Sequence, residues 1–174
     1  MRAGLSCLLL AVAAILMETI YVTVGAATPA PLPGTADPAL ARSDYIENCG
    51  GCHGVTGSTA PAKVPELRGR VGYFLCTPET RAYLLRLPNV AHSRVRDNEQ
   101  LAGLMNYVVY VLGEGSVPPG RTAPFTADEV AQGRLHALSS ANLTRERARN
   151  VAIVMRQCHA PASLRDFYTP MAAK

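Results

Sequence analysis

The chain carries the pentapeptide Cys49-Gly50-Gly51-Cys52-His53, which is the C-x-x-C-H signature of covalent haem attachment. Cysteines at this spacing lie about one helical turn apart, so that both thiols can bond the same planar group. The imidazole that follows them then reaches the haem iron from the same side. The pentapeptide therefore predicts one covalent haem c, attached through Cys49 and Cys52 and ligated by His53.

The same cysteine pair has two other interpretations. A thioredoxin-like dithiol is expected near a βαβ pattern, and the sequence shows no such pattern. A structural zinc site of the usual spacing requires a second pair of ligands, and none follows in this sequence. The haem interpretation is therefore favoured over both.

The first 27 residues have the pattern of an export signal. A positively charged start is followed by an uncharged apolar run over residues 3–17, and small residues at 25–27 provide a cleavage site. Glu18 interrupts the ~20 apolar residues that a membrane-spanning helix needs, which favours cleavage over a retained membrane anchor. We therefore expect a periplasmic protein, with a membrane location only if this segment is kept.

The rest of the sequence predicts an all-α fold preceded by a linker. Residues 28–38 hold four prolines and are expected to be extended and without secondary structure. Helical spacing of apolar residues, with capping residues at the ends, then predicts helices at 39–48, 77–87, 97–112, from about 127, and at 143–158. We divide them into a haem-binding domain at 39–113 and a helical C-terminal extension at 114–174.

More than the pentapeptide connects this region with a known family. Tyr45 lies four residues before Cys49, Pro65 lies twelve residues after His53, and Leu67 follows two residues later. With these residues and its last helix, the predicted haem domain resembles the class I cytochrome c family. The resemblance implies a small all-α cytochrome c domain whose first and last helices cross.

The resemblance also implies roles for single residues. In the family, a proline at the position of Pro65 offers its carbonyl oxygen to the free ring nitrogen of the ligand histidine, here His53. Such a bond fixes the tautomer and the orientation of the imidazole. Leu67 would pack on the haem, which makes Pro65 and Leu67 haem-binding residues beside Cys49, Cys52 and His53.

At the level of function, the resemblance implies an electron carrier, which the export signal would place in the periplasm. The sequence shows no acid–base pair or nucleophile triad, so we do not expect an enzyme. The partners of the carrier would be a dehydrogenase as electron donor and an oxidase or another cytochrome as acceptor. Two alternatives stay open: a haem subunit of a larger oxidoreductase, and a gas-binding or peroxidatic haem protein with an open sixth site. The formal charge of +4 is mild, and no run of basic residues suggests binding to nucleic acid.

The sixth iron ligand departs from the family pattern. The family delivers a methionine from the loop before its last helix, and that loop, residues 88–96, contains His92 and no methionine. We therefore predict His92 as the ligand opposite His53, since an axial histidine is sound haem chemistry. A surface His92 over a five-coordinate or differently ligated haem is the alternative. Met105 is the rival ligand, although methionine in a helix more often fills the core.

Two residue pairs have two interpretations each. In an oxidising compartment Cys76 and Cys158 are permitted to form a disulfide, and two buried free thiols fit the sequence equally well. Arg68 and Arg70 follow Leu67 closely, and we expect them either to meet the haem propionates or to be exposed.

A second, degenerate signature occurs near the end of the chain. Met155-Arg156-Gln157-Cys158-His159 has methionine in place of the first cysteine, so that a second haem with a single thioether is conceivable. Met155 and Cys158, however, fall on one apolar stripe of the last predicted helix, together with Ala148, Val151 and Ala152. This periodicity favours a core role for the segment.

Overall fold

The structure, a computed structural model, describes residues 31–58, 63–120, 123–139 and 141–167. The predicted export signal and the start of the predicted linker lie outside these residues. In the described ranges the chain is helical and contains no strand, which confirms the predicted all-α fold. No helix of these ranges is long and apolar enough to span a bilayer.

The helices follow one another in a simple order. The α-helices are α1 Pro38–Asn48, α2 Gly50–His53, α3 Pro78–Arg86, α4 Pro88–Ala91, α5 Asn98–Asn106, α6 Ala127–Leu135 and α7 Leu143–Cys158. Two 3-10 helices lie at Val71–Cys76 and Ala162–Arg165, and a π-helix at Tyr107–Leu112 continues α5. Gly50 and Gly51 lie in the first turn of α2, and the 3-10 helix Val71–Cys76 is not among the predicted helices.

Side-chain caps begin the helices where the sequence predicts them. Thr77 accepts a hydrogen bond from the backbone N–H of Thr80 at the start of α3, with Pro78 in the first helical position. Thr126 and Glu129 form a reciprocal capping box at the start of α6, which is the function of this S/T-x-x-E spacing. Both helix starts are therefore determined locally.

The core is built where α1 and α5 pack against each other. Tyr45 of α1 is fully buried, and its ring centroid lies 5.7 Å from that of Tyr107 at the end of α5. α6 packs on α5 and α3, and α7 packs on α3 and on the 3-10 helix Val71–Cys76. The helices of the predicted C-terminal extension thus pack on helices of the 39–113 region.

The π-helix changes which residues of this segment are buried. An unbroken α-helical period over the predicted 97–112 helix places Val111 on one apolar face with Leu104 and Val108, but Val111 is 41% exposed while Val109 is fully buried. Gly113 N–H donates to Val108 O, five residues back, so each turn here holds more residues than an α-turn. The prediction for Val111 is wrong because it assumes an unbroken α-helical period.

Asn106 connects the predicted linker to the extension. Its side chain is fully buried, donates to Gly34 O at 2.8 Å and to Phe125 O at 3.1 Å, and accepts from Phe125 N–H at 2.7 Å. Leu32 packs against the core. Residues 31–37 form no helix or strand, as expected, but these contacts attach them to the domain, so that they are not a free linker.

Cys76 and Cys158 form a disulfide, with their Cα atoms 6.1 Å apart. The bond joins the end of the 3-10 helix Val71–Cys76 to the end of α7, and Cys76 is fully buried. Of the two interpretations of Cys76 and Cys158, the disulfide is therefore correct and the pair of free thiols is not. It also leaves Cys158 without a thiol for the second haem considered above.

The buried face of α7 differs from the predicted one. Val151 is buried as predicted, but Ala148 is exposed, and Arg147 and Asn150 are buried in its place. The prediction counts apolar residues only, whereas the guanidinium of Arg147 is buried because it binds backbone carbonyl oxygens of residues 164–166. The true stripe therefore includes two polar residues, and the side-chain amide of Asn150 donates to Glu146 O at 2.9 Å.

Replacing both Cys76 and Cys158 by alanine is expected to lower the free energy of unfolding by about 2–4 kcal/mol, because the unfolded chain loses a cross-link. Urea denaturation of wild type and double variant measures the difference. Unfolded, unreduced wild type should show no thiol from these two cysteines. Two titratable thiols from them would contradict the bond.

Candidate functional site

The pentapeptide forms one tight turn at the end of α1. Cys49 N–H donates to Tyr45 O at 2.8 Å, which continues the hydrogen bonding of α1 by one residue. The N–H groups of Cys52 and His53 both donate to Cys49 O, at 3.1 and 3.0 Å. The side chains of the two cysteines and the histidine therefore all project from a single helical turn, as the spacing of the signature requires.

The two cysteines of this turn are free, in contrast to the disulfide-bonded pair. Cys52 is exposed and Cys49 is half-buried. Burial raises the pKa of Cys49 to about 11, and the neighbouring Cys52 adds to the effect. Both sulfur atoms are thus available for a covalent bond, with Cys52 the more accessible one.

His53 is held by the residue that the resemblance indicates. Its Nδ1 lies 3.0 Å from Pro65 O. A carbonyl oxygen only accepts, so Nδ1 carries the proton, and Nε2 keeps its lone pair for a metal. Burial lowers the pKa of His53, although the bond to Pro65 opposes this shift. Burial thus favours the neutral form of the ring, which is the form that binds metals.

The turn is also tied to α1 and to the loop that holds Leu67. Tyr45 donates its hydroxyl hydrogen to Gly54 O at 2.6 Å, and burial raises the pKa of Tyr45 above its usual range. Gly57, whose φ of +75° favours glycine, accepts from the N–H of Leu67 at 2.9 Å. Leu67 is half-buried and packs against the core. Its predicted contact with haem stays a prediction.

His92 lies at the exposed end of α4. Its side chain is exposed, and its backbone N–H donates to Pro88 O at 2.9 Å. α4 packs against α3 and α6, whereas α2, which holds His53, packs against α1. The role of His92 as sixth ligand therefore stays a prediction.

Met105 and the other histidines and methionines that could serve as a sixth ligand have different environments. Met105 is only 4% exposed and belongs to the hydrophobic core, as expected for a methionine on the apolar face of a helix. His136 and His159 are exposed at the ends of α6 and α7, and Met155 packs against the core. Met171 lies outside the described residues.

Arg68 and Arg70 have different environments. Arg68 is exposed and lies 3.8 Å from Glu114, a surface ion pair of small energetic weight. Arg70 is 6% exposed, and its Nη2 donates to Ser163 O and Asp166 O at 2.6 and 2.7 Å. The expectation of an exposed arginine is thus wrong for Arg70, because the C-terminal extension covers it. The propionate role stays a prediction.

Sequence reasoning missed the contact between the extension and this site. Glu66 N–H donates to Phe167 O at 2.7 Å, directly beside the peptide oxygen that holds His53. The contact is between two backbone groups about a hundred residues apart, so no side-chain pattern encodes it. One signal was available in the sequence: Arg147 lies among the apolar residues of α7, which indicates a buried partner for its guanidinium.

Comparison of the chain with protein-family models, with curated proteins and with solved structures gives no match. Within the described ranges, no three His, Cys, Asp or Glu side chains are grouped so as to hold a metal ion between them. The interpretation of the site therefore depends on the geometry of Cys49, Cys52 and His53 themselves.

In haem-free protein we expect iodoacetamide to modify Cys52 much faster than Cys49. A pKa of about 11 leaves roughly one Cys49 in a thousand as thiolate at pH 8, and Cys49 is also half-buried. Peptide mass spectrometry over time gives both rates, and the C52S variant gives the rate of Cys49 alone. Equal rates would contradict the described environment of Cys49.

Proposed function

We propose that this protein is an exported c-type cytochrome that carries single electrons, with one haem attached at Cys49 and Cys52 and ligated by His53. The observation that carries the proposal is the hydrogen bond from His53 Nδ1 to Pro65 O, in a turn that also presents two free cysteines. Because Pro65 O binds Nδ1, Nε2 is the ring nitrogen that stays free to bind a metal. It meets the requirements of a ligand histidine.

The disulfide supports both the compartment and the cofactor. Stable disulfides are typical of exported proteins, which agrees with the export signal predicted for the first 27 residues. In an oxidising compartment, two thiols one helical turn apart are prone to oxidation unless they are used covalently. Thioether bonds from Cys49 and Cys52 to a haem would use both.

A bound haem supplies reversible one-electron chemistry at its iron. The residues of this chain would hold it, orient the ligand imidazole through Pro65, and limit the access of water. Cys52 is exposed and Val55 is 57% exposed, which puts the attachment turn at the protein surface. A redox partner, such as a periplasmic dehydrogenase as donor, can approach this end closely enough for outer-sphere transfer.

The extension favours a carrier over a subunit that uses it for docking. α6 and α7 bury their faces on α3, α5 and the 3-10 helix Val71–Cys76 of the same chain. Arg81 of α3 binds both carboxylate oxygens of Glu129 on α6, at 2.6 and 2.9 Å, which strengthens this attachment. The extension is therefore part of the folded unit that would hold the haem.

Expression with an export and cytochrome-maturation system should yield one haem per chain that resists acid–acetone extraction, because two thioethers attach it. The variant C49A/C52A should release any haem on extraction. The matched control C76A/C158A, which removes the other cysteine pair, should keep it. Extractable haem in the wild type, or two haems per chain by mass spectrometry, would contradict the proposal.

The variants H92M and H92A test the sixth ligand. If His92 binds the iron, methionine should produce a sulfur-ligated spectrum and raise the midpoint potential, since methionine ligation raises it. Alanine should open the site to carbon monoxide. H136A, which removes another exposed histidine, is the control. An H92A variant with the wild-type spectrum and potential would point to Met105 instead, and carbon monoxide binding by the wild type would favour the gas-binding alternative.

A further inference from the structure

One peptide group joins the candidate ligand histidine to the C-terminal extension. The peptide bond between Pro65 and Glu66 accepts from His53 Nδ1 through its oxygen, at 3.0 Å. The same peptide bond donates its N–H to Phe167 O, at 2.7 Å. His53 is therefore the first member of a hydrogen-bonded chain that ends in the C-terminal segment at residues 161–167, which we call the strap.

We propose that the strap is a positioning element for His53, and that it adjusts the electron density of this ligand through the Pro65–Glu66 peptide. The inference depends on the proposed function, because it concerns His53 as a ligand of haem iron. It assigns to the extension a role beyond packing. The residue that acts at the far end is Phe167, through its backbone carbonyl.

Two buried arginines hold the strap in place. Arg147 of α7 is 7% exposed and donates to Leu164 O at 2.8 Å and to the carbonyls of Arg165 and Asp166 at 3.2 Å. Arg70 donates to Ser163 O and Asp166 O. The carbonyl groups at the end of a 3-10 helix lack partners within it, and guanidinium groups satisfy them strongly.

Further contacts fix the middle and the end of the strap and the residues just before it. Leu164 is 1% exposed and belongs to the core. The guanidinium carbon of Arg147 lies 5.0 Å from the ring centroid of Phe167, a cation–π contact that holds this residue opposite Glu66. Cys158, three residues before the strap, is bonded to Cys76. The position of the Phe167 carbonyl is therefore determined by the tertiary structure.

The physical effect follows from cooperativity between hydrogen bonds. When the N–H of a peptide group donates, its carbonyl oxygen becomes more negative and a better acceptor. The Nδ1–H bond of His53 to Pro65 is then stronger, and the imidazole becomes a more basic ligand. A more basic ligand stabilises the ferric state and lowers the midpoint potential. Loss of the Phe167 contact should therefore raise the potential.

The variants E66P and E66A test this mechanism in the full-length holoprotein. Both remove the Glu66 side chain, but only proline removes the N–H that donates to Phe167. We expect E66P to raise the midpoint potential relative to E66A. In the reduced protein, the proton resonance of His53 Nδ1 should also move upfield, since it reports the strength of the bond to Pro65.

A second pair of variants tests the same mechanism if E66P does not fold. R147L removes the clamp on the strap, and R156L removes an exposed arginine of the same helix as the control. We expect R147L to raise the potential and to shift the Nδ1 resonance as E66P does, whereas R156L leaves both unchanged. Urea denaturation measures the accompanying loss of stability separately.

The outcomes separate the inference from the proposed function. Variants that lose stability but keep the potential and the Nδ1 resonance of the wild type would reduce the strap to a packing element and overturn the inference. The electron carrier would then stand unchanged. A wild-type chain without covalent haem would overturn the proposed function, and with it the inference, before any variant is compared.

Discussion

The hydrogen bond from His53 Nδ1 to Pro65 O is the contact on which the site depends. It joins the turn at the end of α1 to the loop before the 3-10 helix Val71–Cys76, and it determines which ring nitrogen stays free. Because a proline carbonyl only accepts, the tautomer is set by geometry and not by solution pH. The tight turn, the hydrogen bond of Tyr45 to Gly54 O and the strap all restrict the positions of these two atoms.

The rest of the molecule restricts the two partners of that bond from opposite sides. Tyr45 holds the histidine side, since its ring is buried against Tyr107 and its hydroxyl binds Gly54 O. The strap holds the proline side through Phe167 and Glu66. A histidine held from both sides would reorganise little when the charge of a bound iron changes, which suits the electron carrier that we propose.

The C-terminal extension contributes through buried polar contacts more than through an apolar core of its own. Arg81 clamps α6 to α3, Arg147 and Arg70 clamp the strap, and Arg134 donates to Ala91 O and Val95 O on either side of His92. Each guanidinium binds backbone carbonyls or a carboxylate, which offsets part of the cost of removing its charge from water. The extension thereby supports both the loop of His92 and the loop of Pro65.

The sequence by itself determined the helical class, the caps at Thr77 and Thr126, and the turn that brings Cys49, Cys52 and His53 together, because each depends on neighbours within a few residues. The position of Pro65 beside His53 followed from a family resemblance, and the structure places it there. The tertiary structure alone decided the disulfide, the burial of Arg147 and the Glu66–Phe167 bond. These join groups some eighteen to a hundred residues apart, and sequence spacing carries no information about distances across a folded core.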